Sequence, residues 1–538
     1  LLGGSAGGGS VDGDGPAVAE QLRAAAVSGF VLARNQGDLL PLDRAALTSV
    51  AVIGPNAATG RTLGGGSATV FPPYTISPLA GITAALGPGV TVEHAVGAPI
   101  ATRLALAPVE RLLAPEFDAP GLTVTLRDRE GGVLLTEHRR HAQLTWLGGF
   151  GADVDAEAVA AVEVHTVLVA PAAGRYQVGC SGIGQVRFSV DGVVRYDDLL
   201  TPPPDTDPID AFARLPQWCT EVTMAAGQRL DLALHHAVLP GGFLIKIEIN
   251  AAVVARPPAE ELAAAVAAAR GADVAIVVVG TTDEVESEGF DRTSLRLPGD
   301  QDDLVRAVLA ANPNTVVVVN SGAPVLIPCL DEVPAVLLTW FPGQEFGAAL
   351  ADVLFGVAEP GGRLPVTWPA DEPAWLPTGV SDNGALRYAE SVNIGYRRWD
   401  QVGALPAFCF GHGLGYTSWE YLELALPASA GDAGRDAGDV TVRVSVRNTG
   451  ARAGREVVQV YASRPDSAVT RPARWLVGFA PVDAGPGATV TVDVTVPARA
   501  LAVWDPTAGA FTVEPGVFQL AVGRSLEDVR LRAALTRR

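Results

Sequence analysis

The stretch Glu284-Val-Glu-Ser-Glu-Gly-Phe-Asp-Arg-Thr-Ser-Leu-Arg-Leu-Pro298 decides how the chain is read. It follows Asp273-Val-Ala-Ile-Val-Val-Val-Gly280, an unbroken apolar run rich in β-branched residues. That is the pattern of a strand buried on both faces, as in a parallel sheet. In open α/β sheets, ligands bind on the loops beyond the carboxyl ends of such strands. Three glutamates and an aspartate crowded on one of these loops repel one another. The bland reading is a solvated acidic loop; the sharp one is a carboxyl group held there for chemistry.

Working outward, helix and strand patterns alternate on both sides of this loop, as in a layered α/β domain. A helix is predicted from Pro16, a buried strand over Ser49–Gly54 and a short helix over Ile82–Leu86. Downstream, a helix carries Leu262, Val266 and Ala269 on one face, and another spans Asp300–Ala311. Strands Thr315–Asn320 and Ala335–Thr339 and a helix over Gln344–Gly356 follow. Between the two α/β stretches the helical period disappears. Leu122–Leu126, Val164–Ala170, Leu230–Leu234 and Leu244–Ile249 alternate like strands, and Asp191-Gly192 marks a tight hairpin. An inserted antiparallel β-sandwich is the expectation. Past Tyr416, the runs Val440–Val446, Glu456–Tyr461, Val490–Val496 and Val517–Val522 indicate an immunoglobulin-like sandwich. The resulting division is a linker over 1–15, α/β domain over 16–110 and 253–376, insert over 111–252, irregular connector over 377–415 and a closing β-sandwich over 416–538.

Composition narrows the function classes. Of 538 residues, 48% are hydrophobic and 18% charged, which is globular and long enough for several cores. A net charge of −20 argues against nucleic acid or anionic membrane as partners, and no apolar run approaches the ~18 residues that span a bilayer. The Gly-rich loop Arg61-Thr-Leu-Gly-Gly-Gly-Ser-Ala-Thr-Val-Phe-Pro-Pro-Tyr74 lacks the Gly-Lys-Ser/Thr ending of a phosphate loop. His235-His236 sit side by side on a strand pattern, so they face opposite ways and make a poor metal pair. Of four cysteines, none is in a Cys-x-x-Cys spacing. Cys180 and Cys219 fall in one β-rich region and are candidates to pair.

The motifs together resemble family-3 glycoside hydrolases, in the β-glucosidase branch. Glu286-Ser287-Glu288-Gly289-Phe290-Asp291-Arg292 with Leu295, Leu297-Pro298-Gly299 and Gln301 is similar to that family's acid/base loop. Asn320-Ser-Gly-Ala-Pro324, Trp340-Phe-Pro-Gly-Gln-Glu345, Gly362-Arg-Leu-Pro365, Gly395-Tyr-Arg397 and Phe410-Gly-His-Gly-Leu-Gly-Tyr416 follow in the family's order. Upstream, Val31-Leu-Ala-Arg-Asn35 and Val52-Ile-Gly-Pro-Asn56 match the start of its second domain, with Arg34 where lysine is usual. The family's nucleophile, an aspartate in a Ser-Asp-Trp context on an N-terminal (β/α)8 barrel, has no counterpart here, and Lys246 is the sole lysine. The chain therefore looks like the part that follows the barrel. Its insert resembles the protective-antigen-type sandwich of some members, and its last domain their fibronectin-type domain.

The resemblance implies a retaining, exo-acting β-glucosidase acting on small β-glucosides, with Glu288 as general acid/base and the nucleophile on the barrel. Glu286 and Glu284 are the competing carboxylates. Phe290 is expected to wall the acid, and Asp291-Arg292 to hold the loop. Arg61 and Phe71 are candidates for substrate contact, with loop packing as the alternative for each. No metal and no cofactor is implied. The expected partners are the substrate and the barrel segment, on the same polypeptide or a separate chain; oligomers are compatible. An extracellular location is the expectation and a cytoplasmic one the alternative. The competing readings are a barrel-less carbohydrate-binding or scaffold protein, and a sister activity such as β-xylosidase or N-acetylglucosaminidase.

Overall fold

The computed structural model describes residues 15–538 apart from 67–68, 101, 152–153, 205, 207–210, 213, 239–243, 255, 289–291, 328, 373–383, 428–433 and 435–436. A six-stranded sheet forms the centre of the α/β part, in the order Val31–Asn35, Ala335–Leu338, Thr315–Asn320, Val274–Gly280, Ser49–Ile53, Thr91–Ala95. The strand Val31–Asn35 runs antiparallel to its neighbour and the rest are parallel. Every residue of Val274–Gly280 and of Thr315–Asn320 is buried, as their apolar runs require.

The two faces of the sheet feed two separate cores. Val274, Ile276 and Val278 pack with Val27, Ile82 and Leu350 from the helices Pro16–Gly29, Pro78–Leu86 and Phe346–Leu354. Ala275, Val277 and Val279 pack with Ala265, Ala269, Leu304 and Val308 from the helices Pro258–Gly271 and Gln301–Ala311. The chain order reverses between Ser49–Ile53 and Val274–Gly280, so the crevice at their carboxyl ends is the switch point of the sheet.

The chain leaves this layer after Thr91–Ala95 and returns at Pro258–Gly271. In between, an eight-stranded and a four-stranded antiparallel sheet enclose one core. It contains Val124, Val164, Phe188 and Leu234 from the first sheet and Val178, Cys180 and Ile247 from the second. Cys180 and Cys219 do not pair; both are free thiols. The register sets Cys180 opposite Trp218 and Cys219 opposite Gly179, so the two side chains leave opposite faces of their sheet. Burial pushes the Cys180 thiol up to about 12, which keeps it protonated and inert.

On the insert's surface, His165 bridges two carboxylates, with Nδ1 at 2.8 Å from Glu116 and Nε2 at 2.7 Å from Asp231. Burial works against protonation, but the hydrogen bonds to Asp231 and Glu116 outweigh it and raise the imidazolium above its ordinary 6.5. A raised folded-state value means stabilisation that is complete below 6.5 and lost as pH rises through the folded value. The stability advantage of the wild type over His165→Asn, read from urea midpoints, is therefore expected to shrink as pH rises above 6.5. Its full size is about 1 kcal/mol or less, because the pair is partly exposed. A difference that does not change with pH would contradict this.

The closing β-sandwich has a three-stranded sheet (Trp419–Ala425, Val440–Asn448, Thr489–Val496) and a four-stranded one (Trp475–Ala484, Gly454–Ser463, Gly516–Gly523, Val529–Arg537). Valines 442, 444, 458 and 460 lie in the core between them. The connector before it is less irregular than its Pro- and aromatic-rich sequence implies, because Tyr396–Val402 forms a helix. Tyr396 and Trp399 are buried on the neighbouring structure and supply the packing that so short a helix needs.

Two of the sequence motifs join the α/β part to this sandwich. Leu364 N donates to His412 O and Gly411 N to Leu364 O, each at 2.8 Å, while a His412 ring nitrogen meets Ala33 O at 2.8 Å. A Cβ on Gly413 would lie 2.4 Å from Gly362 O, so only glycine fits that crossing. Arg363 and Arg524 then close on Glu456 at 3.0 and 2.7 Å, with the carboxylate fully buried.

Candidate active site

The loop over 281–298 starts at the buried end of Val274–Gly280 and is pinned at both ends by one side chain. Gln301, fully buried, accepts from Gly280 N at 2.9 Å and donates to Gly280 O and Pro298 O at 2.8 and 2.9 Å. Two of the loop's glutamates are consumed by the scaffold. Glu284 accepts from the backbone nitrogens of Thr102 and Arg103, each at 3.2 Å, and from the Thr102 hydroxyl. Glu286 Oε2 accepts from Thr281 Oγ1 at 2.6 Å and Gly322 N at 3.1 Å. Glu288 stands further out and is exposed. It lies against the Gly-rich loop so closely that a Cβ on Gly66 would fall 2.4 Å from Glu288 Cβ and 2.5 Å from its Oε2. Gly66 also has φ +65, which glycine adopts without strain.

Arg61 organises this surface. Its Nη1 donates to Glu286 O at 2.9 Å and its Nη2 to Gly64 O at 3.0 Å, with the guanidinium 4.5 Å above the Phe341 ring. Burial lowers its pKa, with Asp283 and Glu286 opposing. Its backbone N donates to Asn320 Oδ1 at 2.7 Å, and Asn320 Nδ2 donates to Arg61 O and Trp340 O. Asn56 Nδ2 reaches the same Asn320 oxygen at 3.1 Å and Thr281 O at 3.3 Å. The ends of three strands, 49–53, 274–280 and 315–320, are thus tied into one network at the switch point. Arg292 Nη1 donates to Pro324 O at 3.1 Å, and burial lowers its pKa.

Phe71 is 47% exposed and packs on His141 of the insert, with ring centroids 4.4 Å apart and the rings tilted by 32°. Burial, then Arg140 and Arg139, lower the His141 pKa, so this ring is neutral at pH 7. Glu288, Arg61 and Phe71 therefore all involve one Gly-rich loop, Arg61 through its own packing and Phe71 through a contact with the insert. Phe290 and Asp291 lie outside the described residues, so the expected wall and the Asp291-Arg292 pairing do too. Sequence reasoning missed Gly66, His141 and the Asn56–Asn320 link. Asn320 and Phe341 lay in motifs already singled out, but nothing in the spacing tied them to Arg61. Among the described residues there is no group of three or more His, Cys, Asp or Glu able to hold a metal ion, and no helix is long and apolar enough to cross a membrane.

The glycosyl hydrolase family 3 C-terminal domain profile matches residues 30–416, and the fibronectin type III-like profile matches 456–526. A β-glucosidase of Rhizobium radiobacter is 36% identical over 530 residues, covering 96% of this chain and 62% of the relative. Probable β-glucosidase K of Emericella nidulans is 34% identical, covering 95% and 62%. The crystal structure of a Kluyveromyces marxianus β-glucosidase in complex with glucose superposes with a TM-score of 0.87 at 28% identity, covering 99% of this chain and 63% of that one. DesR, a β-glucosidase from Streptomyces venezuelae in complex with D-glucose, gives 0.66 at 29%, covering 97% and 60%. The chain thus spans less than two thirds of the length of these relatives. It belongs to glycosyl hydrolase family 3, as the family's C-terminal domain interrupted by an inserted β-sandwich and followed by a fibronectin type III-like domain.

Proposed function

We propose that this chain supplies the general acid/base of a retaining, exo-acting β-glucosidase, and that the nucleophile is carried by a barrel segment outside residues 1–538. The observation that carries the reading is the position of Glu288, exposed near the outer end of the loop and against Gly66 of the Gly-rich loop. Glu284 and Glu286 bond Thr102, Thr281 and Gly322 of the scaffold, so removing either disturbs the loop itself. In a retaining mechanism two carboxyl groups face each other ~5 Å apart. Glu288 gives its proton to the glycosidic oxygen as the bond to C1 breaks and the nucleophile carboxylate takes C1. Glu288, now ionised, removes a proton from water as that water displaces the nucleophile, which restores both groups. The negative nucleophile opposite favours the protonated form of Glu288 in the resting enzyme.

Small β-glucosides are the proposed substrate class; the contact between His141 of the insert and Phe71 of the Gly-rich loop supports it by bringing the insert to that loop. The names of the relatives support glucose as the sugar. Arg61 acts here as a positioning residue, since its guanidinium is already committed to Glu286 O and Gly64 O. The test is an aryl β-glucoside assay of this chain alone and mixed with a separately made barrel segment. The chain alone is expected to show no turnover and the mixture to recover it. Turnover by the chain alone at the rate of the mixture would overturn the reading.

A further inference from the structure

Between the insert and the returning arm of the 281–298 loop lies a cavity of about 960 Å³. Among the described residues that line it are four arginines, Arg103, Arg214, Arg292 and Arg296, and one acid, Glu284. Glu288, Gly66 and Arg61 are not among them. Arg292 Nη1 donates to Pro324 O at 3.1 Å, while its Nη2 is enclosed and meets no acceptor. Arg103, on the segment leading into the insert, donates to Leu215 O through Nη2. Arg214 Nη2 donates to Glu284 O and so ties the insert to the loop. Arg296 lies at the rim, its side chain 70% exposed and 3.8 Å from Asp302.

Acids outnumber bases in this chain by 59 to 39, and arginines elsewhere take carboxylates: Arg187 pairs with Asp197, Arg443 with Asp493 and Arg455 with Asp483. In the cavity, Arg103 and Arg292 bond neutral carbonyl oxygens instead. An enclosed guanidinium N–H without an acceptor carries a desolvation cost that nothing returns. An oxyanion from solution supplies the missing acceptor, because the planar guanidinium fork matches two oxygens of a phosphate or carboxylate. The cavity is far larger than such a group and has the size of sites that hold small organic molecules. Val285, Leu297 and the Thr293 hydroxyl on its walls suit a body of mixed polarity. We propose that this cavity binds a small organic oxyanion, its charge met by Arg292 and Arg103. Binding there needs neither Glu288 nor a barrel, so it stands apart from the glycosidase reading. The net charge of −20 disfavours anions over the rest of the surface, which isolates the site in a titration.

The probes are sorbitol 6-phosphate, gluconate and sorbitol, one six-carbon body carrying a dianion, a monoanion or no charge. Each is titrated into this chain by isothermal calorimetry at fixed ionic strength. One-site, saturable binding of an anionic probe is expected, and none of sorbitol; the tighter anion assigns the group as phosphate or carboxylate. Arg103→Gln and Arg292→Gln are each expected to weaken binding about 10-fold or more, as for a lost charge-assisted hydrogen bond. Arg443→Gln, on the closing sandwich, is expected to bind as wild type does. Where far-UV circular dichroism shows that a cavity variant has not folded, phenylglyoxal labelling of the wild-type chain replaces it. The bound anion should then protect Arg103 and Arg296 and leave Arg443 labelled, read by peptide mass spectrometry. Absence of saturable binding overturns the proposal, as does equal affinity in wild type and either cavity variant, or labelling that the anion does not change. Inorganic phosphate bound as tightly as sorbitol 6-phosphate would mean an adventitious ion only, which also overturns it.

Discussion

Replacing Glu288 by alanine in the assembled enzyme is expected to lower kcat/KM for alkyl β-glucosides by about 10²- to 10⁴-fold, the range of a lost general acid. Activated aryl glucosides, whose leaving groups depart without a proton, should lose far less in the glycosylation step. Azide occupies the space vacated by the carboxylate and needs no general base, so it should restore part of the turnover and yield a β-glucosyl azide. Glu286→Ala is the informative contrast. Its carboxylate bonds the Thr281 hydroxyl and Gly322 N, so its removal displaces the loop and slows good and poor leaving groups alike, without azide rescue. Kinetics across a leaving-group series separate the two. An equal, unrescued loss in Glu288→Ala would move the acid role to another residue.

The second large effect is structural. Glu456 is fully buried between Arg363 of the α/β part and Arg524 of the closing sandwich. Removing its carboxylate takes the salt-bridge partner from Arg363 and Arg524, whose side chains are only 8% and 17% exposed. Breaking a buried pair in this way costs about 3–5 kcal/mol. Glu456→Ala is therefore expected to lower the urea midpoint of this chain steeply. The triple change Arg363→Met/Glu456→Leu/Arg524→Met removes the charges together and should recover much of the loss. A Glu456→Ala midpoint close to wild type would mean that the triad contributes nothing to joining the domains.

What was legible in the sequence follows the strength of each local signal. Val274–Gly280 and Thr315–Asn320 are apolar throughout because both faces of the sheet are covered, and their runs declare it. Thr91–Ala95 is an edge strand with three exposed residues, Thr91, Glu93 and His94, and carries no such run. The helix Tyr396–Val402 owes its existence to Tyr396 and Trp399 docking on neighbours, which no propensity reveals. The cysteines are a matter of parity: a shift of one residue in register would turn Cys219 to the face of Cys180, and register is a tertiary quantity. At the site, the carboxylates were readable as a cluster. The bonds of Glu284 and Glu286 depend on Thr102, Thr281 and Gly322, three segments far apart in the chain. The approach of Gly66 to Glu288 and of Phe71 to His141 likewise arises only when loops meet.

In the proposed enzyme this chain holds the acid while another segment holds the nucleophile. Incubating the assembled enzyme with an activated 2-deoxy-2-fluoro-β-glucoside traps the glycosyl ester, because the fluorine slows its hydrolysis more than its formation. Peptide mass spectrometry is then expected to place the adduct outside residues 1–538, with Glu288 unlabelled. An adduct on Glu284, Glu286, Glu288 or any other carboxylate of this chain would contradict the account.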